Sequence, residues 1–266
     1  MRRMGEGDVM FIEAKDGIRL HVRDEGEGPV LVFANSLGTD MRLWDEVLPL
    51  LPDYRIVRWD KRGHGQSDVP EPPYGMGTLV SDVEAVLDRL GVTGCTLIGL
   101  SIGGMIAQGL TIKRPDLVAR MVLSNTAAKI GDDRLWDGRI ETVLAGGMEP
   151  LADGVMARWF GRDFLASPGL PIWRARFCET PAKGYAGCSA AIKGTDFYST
   201  TARLRLPVLA IAGSEDGATP PDLVRETAEL IPGSRFALIR RAGHLPCVER
   251  PDEYAEILRG FLSDFA

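Results

Sequence analysis

Histidine is scarce in this sequence, with three in 266 residues, so any chemistry that needs an imidazole must draw on His21, His64 or His244. Cysteine is nearly as rare. Cys95, Cys178, Cys188 and Cys247 form no CxxC pair, which removes the usual spacing of zinc ribbons and dithiol redox centres and leaves buried or lid thiols in a reducing compartment. No block of like charges stands out, and the net charge is −6. A broad basic face for nucleic acid is therefore not expected, although a few local cations can still meet an anionic substrate. The first residues, MRRMGEGDVMFIEAKDG, start basic but lack the apolar stretch of a secretory signal, so a cytoplasmic location is expected. The uncharged run from Cys95 to Ile112 approaches the length of a membrane span. It holds four glycines together with Thr96, Ser101, Gln108 and Thr111, and a strand, a turn and a helix account for it better, so no membrane partner is expected.

What is present points to an ordinary globular α/β chain, 45% hydrophobic and 26% charged, long enough for a sizeable core. Val9–Ala14 and Arg19–Asp24 alternate apolar and polar residues around Asp16-Gly17 and read as a hairpin with one face in water. Val30–Ala34, Arg55–Trp59, Thr96–Leu100 and Met121–Ser124 are apolar without alternation, as strands covered by helices on both faces must be. Helical stretches Trp44–Leu50, Thr78–Leu90 and Ile102–Lys113 lie between them. The order predicts a doubly wound, mostly parallel sheet preceded by an antiparallel hairpin. From about Ala127 to Thr200 the strands vanish, and Trp136, Trp159, Phe160, Trp173 and Tyr185 appear among short helical pieces. The strand pattern resumes at Leu206–Ala212, followed by a helix at Pro221–Leu230, a strand at Phe236–Ile239 and a helix at Asp252–Phe265. Residues 1–126 and 201–266 are thus expected to form one core, with 127–200 inserted as a helical lid.

Gly99-Leu100-Ser101-Ile102-Gly103 falls between a predicted strand and a predicted helix. In that context G-x-S-x-G is a nucleophile elbow, a turn so tight that glycines must flank it and the serine hydroxyl is left exposed. A serine needs a base to take its proton. His244 follows the last strand, at the sheet end where the ligand-facing loops gather, and is preferred to His64, in the loop after Arg55–Trp59, and to His21 in the hairpin. The acid that orients the imidazole is expected in Gly213-Ser214-Glu215-Asp216-Gly217, after Leu206–Ala212, with Asp216 preferred to Glu215. Serine, aspartate and histidine then occur in the order found in α/β-hydrolases. Acyl transfer also needs donors aimed at the oxyanion, each worth about 3–4 kcal/mol. The backbone N–H of Ile102 is one candidate. The backbone N–H of Leu37, in Asn35-Ser36-Leu37-Gly38, is the other.

Over nearly the whole chain these residues resemble the 3-oxoadipate enol-lactonases, a family of the α/β-hydrolase fold. The resemblance runs through Asn35-Ser36-Leu37-Gly38-Thr39, Trp59-Asp60-Lys61-Arg62-Gly63-His64-Gly65 and Gly99-Leu100-Ser101-Ile102-Gly103-Gly104. More telling are Ser124-Asn125-Thr126-Ala127-Ala128-Lys129-Ile130-Gly131, Trp136, Arg139-Ile140, Gly184-Tyr185-Ala186-Gly187-Cys188, Ala190-Ala191-Ile192-Lys193 and Asp196-Phe197. Many hydrolases carry His-Gly where this chain has Asn35-Ser36, a pair typical of the family it resembles. The resemblance implies no metal and no organic cofactor. It also implies hydrolysis of a small anionic enol-lactone to an open-chain 3-oxo dicarboxylate. The free carboxylate of such a substrate calls for a cation or several donors; Lys129, Arg134 and Arg139 are the candidates, with Trp136 as an apolar wall. The same triad serves carboxylesterases, carbon–carbon bond hydrolases and cofactor-free haloperoxidase-like proteins, and a receptor with slow turnover would retain it too, so these stay open.

Overall fold

The apolar runs that do not alternate become the centre of one eight-stranded sheet in the computed structural model of the chain, which describes residues 8–265. The strands are β1 (Asp8–Glu13), β2 (Arg19–Glu25), β3 (Val30–Ala34), β4 (Arg55–Trp59), β5 (Cys95–Leu100), β6 (Val118–Ser124), β7 (Val208–Gly213) and β8 (Arg235–Ile239). They lie in the order β1-β2-β4-β3-β5-β6-β7-β8. β1 and β2 form the antiparallel hairpin, β2 joins β4 antiparallel, and every later pairing is parallel. The fold class is the expected one, an α/β-hydrolase sheet with an N-terminal antiparallel hairpin. Every residue of β5 and β7 is buried, because helices cover both faces of the parallel part.

Helices α1 (Met76–Arg89) and α2 (Ile102–Lys113) precede β6. Between β6 and β7 lie α3 (Asp133–Gly146), α4 (Glu149–Trp159), α5 (Arg162–Leu165), α6 (Leu170–Cys178), α7 (Ala182–Lys193) and α8 (Tyr198–Thr201), here termed the cap helices. The chain closes with α9 (Pro221–Glu229), α10 (Pro246–Glu249) and α11 (Pro251–Ser263). The uncharged run Cys95–Ile112 divides into β5 and α2, and no helix is long and apolar enough to cross a membrane among the described residues.

Two local expectations need correction. Trp44–Leu50 is not one helix: it resolves into two 3-10 turns, Met41–Trp44 and Leu48–Leu50, since Pro49 has no N–H to continue a helical ladder. The strand expected from Leu206 begins at Val208, after Pro207, which cannot donate to a sheet ladder.

The position of α2 controls the site above it. A Cβ on Gly99 would be driven into the Gly103 carbonyl, and one on Gly103 into the Ala34 carbonyl of β3. Neither neighbour is a flexible side chain that could yield. The two glycines of the elbow motif therefore let α2 start directly against the carboxyl ends of β3 and β5. A Gly103→Ala variant gains helix propensity of about 1 kcal/mol yet must push backbone apart. We expect a net loss of about 1–3 kcal/mol, read as a lower urea midpoint; an unchanged midpoint would mean that α2 does not need this close approach.

Candidate active site

Ser101, between β5 and α2, has φ 58° and ψ −119°, a conformation that a non-glycine residue holds only when its surroundings enforce it. Both sides of the residue are tied. Its N–H donates to the Ser124 carbonyl at 3.0 Å, and its own carbonyl accepts from the Thr126 hydroxyl at 2.6 Å and from the N–H of Gly104 and Met105. The side chain lines a small cavity of about 70 Å³ together with Ser36, Leu37, Trp136, Tyr185 and His244.

The carboxylate that meets His244 is Asp216, in the turn after β7. Its Oδ2 accepts from His244 Nδ1 at 2.8 Å, from Asn125 Nδ2 at 2.8 Å and from the Thr219 hydroxyl at 2.7 Å. Its Oδ1 accepts from the N–H groups of Ala218 (2.7 Å) and Thr219 (3.0 Å). Burial alone would raise the pKa of this carboxyl group, but His244, Asn125 and the Thr219 N–H outweigh it and the pKa is lowered. A carboxylate on Nδ1 fixes that nitrogen as the protonated one and leaves Nε2 basic. Glu215, one residue earlier, turns away and accepts from the backbone and guanidinium of Arg162 at 2.8 Å.

The other two histidines have local partners. His21 Nδ1 lies 2.8 Å from Asp60, away from the cavity. His64 Nε2 accepts the Gly38 N–H at 3.0 Å, and its Nδ1 faces the Arg62 carbonyl at 3.3 Å. Burial, helped by the charge on Lys61, pushes its pKa well below 6.5, so it remains a neutral acceptor that steadies the loop after β3. Lys61, itself buried, holds the same loop by donating to the carbonyls of Ser36 (2.8 Å) and Thr39 (3.3 Å). Because the peptide is planar and trans, a carbonyl of Ser36 anchored on Lys61 sends the Leu37 N–H in the opposite direction. Ile102 is the first residue of α2, so its N–H has no acceptor within the helix. Leu37 lines the cavity beside Ser101, which brings these two backbone donors to the same end of the sheet.

The cap helices supply the remaining walls. Trp136 and Arg139, both on α3, line the cavity; Lys129 and Arg134 do not. On a helix, Leu135, Trp136 and Arg139 share one side while Arg134 is turned outward by its phase, and Arg134 is exposed. Lys129 precedes the helix, is exposed, and pairs with Asp196 at 3.5 Å. Arg139 donates to the Tyr185 hydroxyl at 3.1 Å and stacks over Trp136 at 5.4 Å. Opposite it stands Arg158 of α4, whose Nε donates to the Gly217 carbonyl at 3.0 Å. Burial and then the like charge of Arg139 lower the Arg158 pKa. Neither guanidinium pairs with a carboxylate among the described residues, so the cavity carries two cations whose only hydrogen-bond partners there are neutral oxygens.

Sequence reasoning passes over Arg158, Trp159, Asn125 and Thr219 as site residues. Arg158 and Trp159 lie in a helix whose apolar spacing marks no cavity face, and no local signal singles them out. Trp159 nonetheless accepts the His244 N–H on its carbonyl at 2.6 Å and stacks its ring on the imidazole with centroids 6.4 Å apart. Glu249 adds a second tie, accepting from Gly243 at 2.6 Å and from Gly161, just beyond α4, at 2.9 Å. Asn125 had a readable signal, since it follows β6 at the same sheet edge as Ser101. Buried cysteines play no part in this chemistry: burial pushes the thiols of Cys95 and Cys188 up to about 12.

A serine, an aspartate and a histidine in that chain order, on loops at the carboxyl edge of a mostly parallel sheet, define the α/β-hydrolase class. The comparisons agree. A family model described as the alpha/beta hydrolase fold matches residues 29–251, and the chain belongs to that family. It is 33% identical over 91% of both chains to 3-oxoadipate enol-lactonase 2 of Acinetobacter baylyi. Its identity to 3-oxoadipate enol-lactonase 1 of the same organism is 34%, over 97% of this chain and 98% of the relative. The crystal structure of the enol-lactonase from Burkholderia xenovorans superposes with a TM-score of 0.92, at 34% identity, covering 96% of this chain and all of that one.

Lys61 yields a test of the buried loop anchor. Burial pushes its ammonium down from 10.5 to about 8, with Cys188, Asp60 and Asp40 opposing the shift. Between those two pH values the unfolded chain binds more protons than the folded one, so wild-type stability rises with pH over that window. A Lys61→Met variant lacks the effect. Wild type should therefore gain up to about 3 kcal/mol on the variant between pH 8 and 10.5, measured by urea unfolding at each pH. Parallel curves would mean that burial does not lower the Lys61 pKa and that its ammonium stays charged through the window. His64 should show no imidazole titration by NMR around pH 6.5, in keeping with its lowered pKa.

Proposed function

We propose that this chain is a serine hydrolase that opens the ring of 3-oxoadipate enol-lactone to give 3-oxoadipate, in the breakdown of aromatic compounds by the β-ketoadipate route. The observation that carries the reading is the pair of guanidiniums, Arg139 and Arg158, in the same small cavity as Ser101 and His244. A compact substrate with a reactive ester carbonyl and a separate carboxylate matches both halves of that cavity. Charge-assisted bonds from two guanidiniums suit the carboxylate, and the small volume suits a single five-membered ring. The similarity to the two enol-lactonases of Acinetobacter baylyi supports the same substrate.

In this mechanism His244 Nε2 takes the proton of Ser101 as its oxygen attacks the lactone carbonyl. The N–H groups of Leu37 and Ile102 receive the oxyanion, and Asp216 stabilises the imidazolium. Collapse of the tetrahedral intermediate breaks the ring C–O bond, and His244 returns the proton to the departing enol oxygen. The leaving group stays tethered to the acyl-enzyme, because both ends belong to one molecule. Its relaxation from enol to ketone removes the nucleophile that would re-close the ring. Water activated by His244 then attacks the acyl group and frees Ser101. The cap helices (127–200 in the expected division) act as the lid that holds the ring against the serine. No metal or organic cofactor takes part.

The deciding assay follows loss of lactone absorbance with freshly generated substrate, beside a simple aryl ester. Wild type should turn over the lactone far faster than the ester. Ser101→Ala should abolish turnover, and Asp216→Asn should lower kcat by about 10⁴. Arg139→Ala and Arg158→Ala should each raise KM for the lactone about 10- to 100-fold, as expected from losing a charge-assisted bond, with little effect on a neutral ester. Ester cleavage without lactone turnover would keep the serine mechanism and discard the substrate. Unchanged KM in both arginine variants would place the carboxylate elsewhere. Absence of both activities would favour a receptor that retains the triad.

A further inference from the structure

The neighbours Asn35 and Ser36, in the loop after β3, use their polar groups in opposite ways. Asn35 is spent on the scaffold: its Oδ1 accepts from Trp44 Nε1 at 2.8 Å and its Nδ2 donates to the Trp59 carbonyl at 2.7 Å. The main-chain carbonyl of Ser36 is equally committed, to Lys61 Nζ at 2.8 Å and to the Thr39 hydroxyl at 2.9 Å. Its side-chain hydroxyl is not. Ser36 is 1% exposed, and its Oγ has no hydrogen-bond partner among the described residues. Ser189 and Tyr254 share that condition, but neither lines the cavity, whereas Ser36 does, alongside Leu37, Ser101 and His244. A buried hydroxyl without a partner is a standing cost to the unliganded protein. The cost disappears when a ligand brings the missing group.

We propose, resting on the enol-lactone reading above, that the Ser36 hydroxyl is a catalytic residue that donates a third hydrogen bond to the oxyanion, beside the N–H groups of Leu37 and Ile102. The chemistry of the substrate decides the direction of the bond. The lactone offers acceptors only, so the hydroxyl must donate. The free carboxylate is taken by Arg139 and Arg158, and the ring oxygen must stay open to the proton on His244. What remains for Ser36 is the oxygen of the reacting carbonyl. A donor on a loop pinned by Lys61 and His64 is already oriented when negative charge develops there, so it strengthens in the transition state more than in the bound lactone.

The test compares Ser36→Ala and Ser36→Thr with wild type on the lactone and on an aryl ester. Binding of 6,6,6-trifluoro-5-oxohexanoate, a ketone that forms an oxyanion adduct with a nucleophilic serine, is followed in parallel by fluorine NMR. Ser36→Ala should lower kcat about 10- to 100-fold, leave KM within about twofold, and weaken the trifluoroketone by the same factor as kcat/KM. Ser36→Thr, which keeps the hydroxyl, should recover part of the loss. The thermal midpoint of unliganded Ser36→Ala should equal or exceed that of wild type, an outcome that a scaffold role would reverse. Unchanged kcat overturns the proposal, as does a rise in KM alone or a loss of activity without a matching loss of trifluoroketone affinity. If wild type cleaves the ester but not the lactone, the substrate reading fails and the same comparison on the ester still judges Ser36. If wild type forms no adduct and turns over neither, both readings fall.

Discussion

The close approach of α2 to the ends of β3 and β5 is the constraint on which the rest of the site depends. Gly99 and Gly103 permit it, and the outcome is a serine held at φ 58° with its backbone tied to β6 on one side and to the first turn of α2 on the other. A strained residue survives only where its neighbours over-determine it. Here the neighbours are the fully buried strand β5, the buried carboxyl end of β6 and the apolar underside of α2, so the stability of the sheet is what keeps the hydroxyl in place. The same approach brings the N–H of Ile102 and the loop after β3 close together, which links Ser101 and the two proposed backbone donors through a single packing contact.

A second set of contacts joins the cap helices to the loop of His244. His244 donates its N–H to the carbonyl of Trp159 and packs against its ring, while Glu249 bridges Gly243 and Gly161. Arg158 and Gly217 exchange two bonds, side chain to carbonyl and N–H to carbonyl. Burial pushes the Glu249 carboxyl up to about 7, which places a titrating group directly between the His244 loop and the cap helices. The electrostatics of the cavity follow from the same joint: Arg158 reaches it from the end of α4, where the backbone of the acid turn holds the guanidinium against the charge of Arg139.

Much of this was legible in the residues. The unbroken apolar runs at β3, β5 and β6, and the motif around Ser101, announced a parallel sheet with an elbow, because burial on both faces leaves a compositional mark. The carboxyl-edge rule was enough to select His244 and to bring Asp216 near it, since each follows a strand directly. The cap resisted. Its helices are short and their apolar spacing records packing among themselves, so nothing in the pattern separated Arg139, which faces the cavity, from Arg134, which faces water, or pointed to Arg158. The pair Asn35-Ser36 was visible as a departure from a common motif, but only the fold divides its two polar side chains into one that is satisfied and one that is not.

The bonds from Trp159 and Gly161 to the histidine loop divide the cap into halves with different freedom to change. The end of α4 is part of the frame that holds His244, and any drift there is felt at the imidazole. The face of α3 carrying Leu135, Trp136 and Arg139 touches the cavity, while its side-chain hydrogen bonds go to Ile130 and Tyr185 and not to Ser101, Asp216 or His244. Substitutions accumulating on α3 can therefore reshape what the cavity admits while the arrangement of Ser101, Asp216 and His244 is left intact, and a lineage built on this frame has one helix on which to explore new ligands.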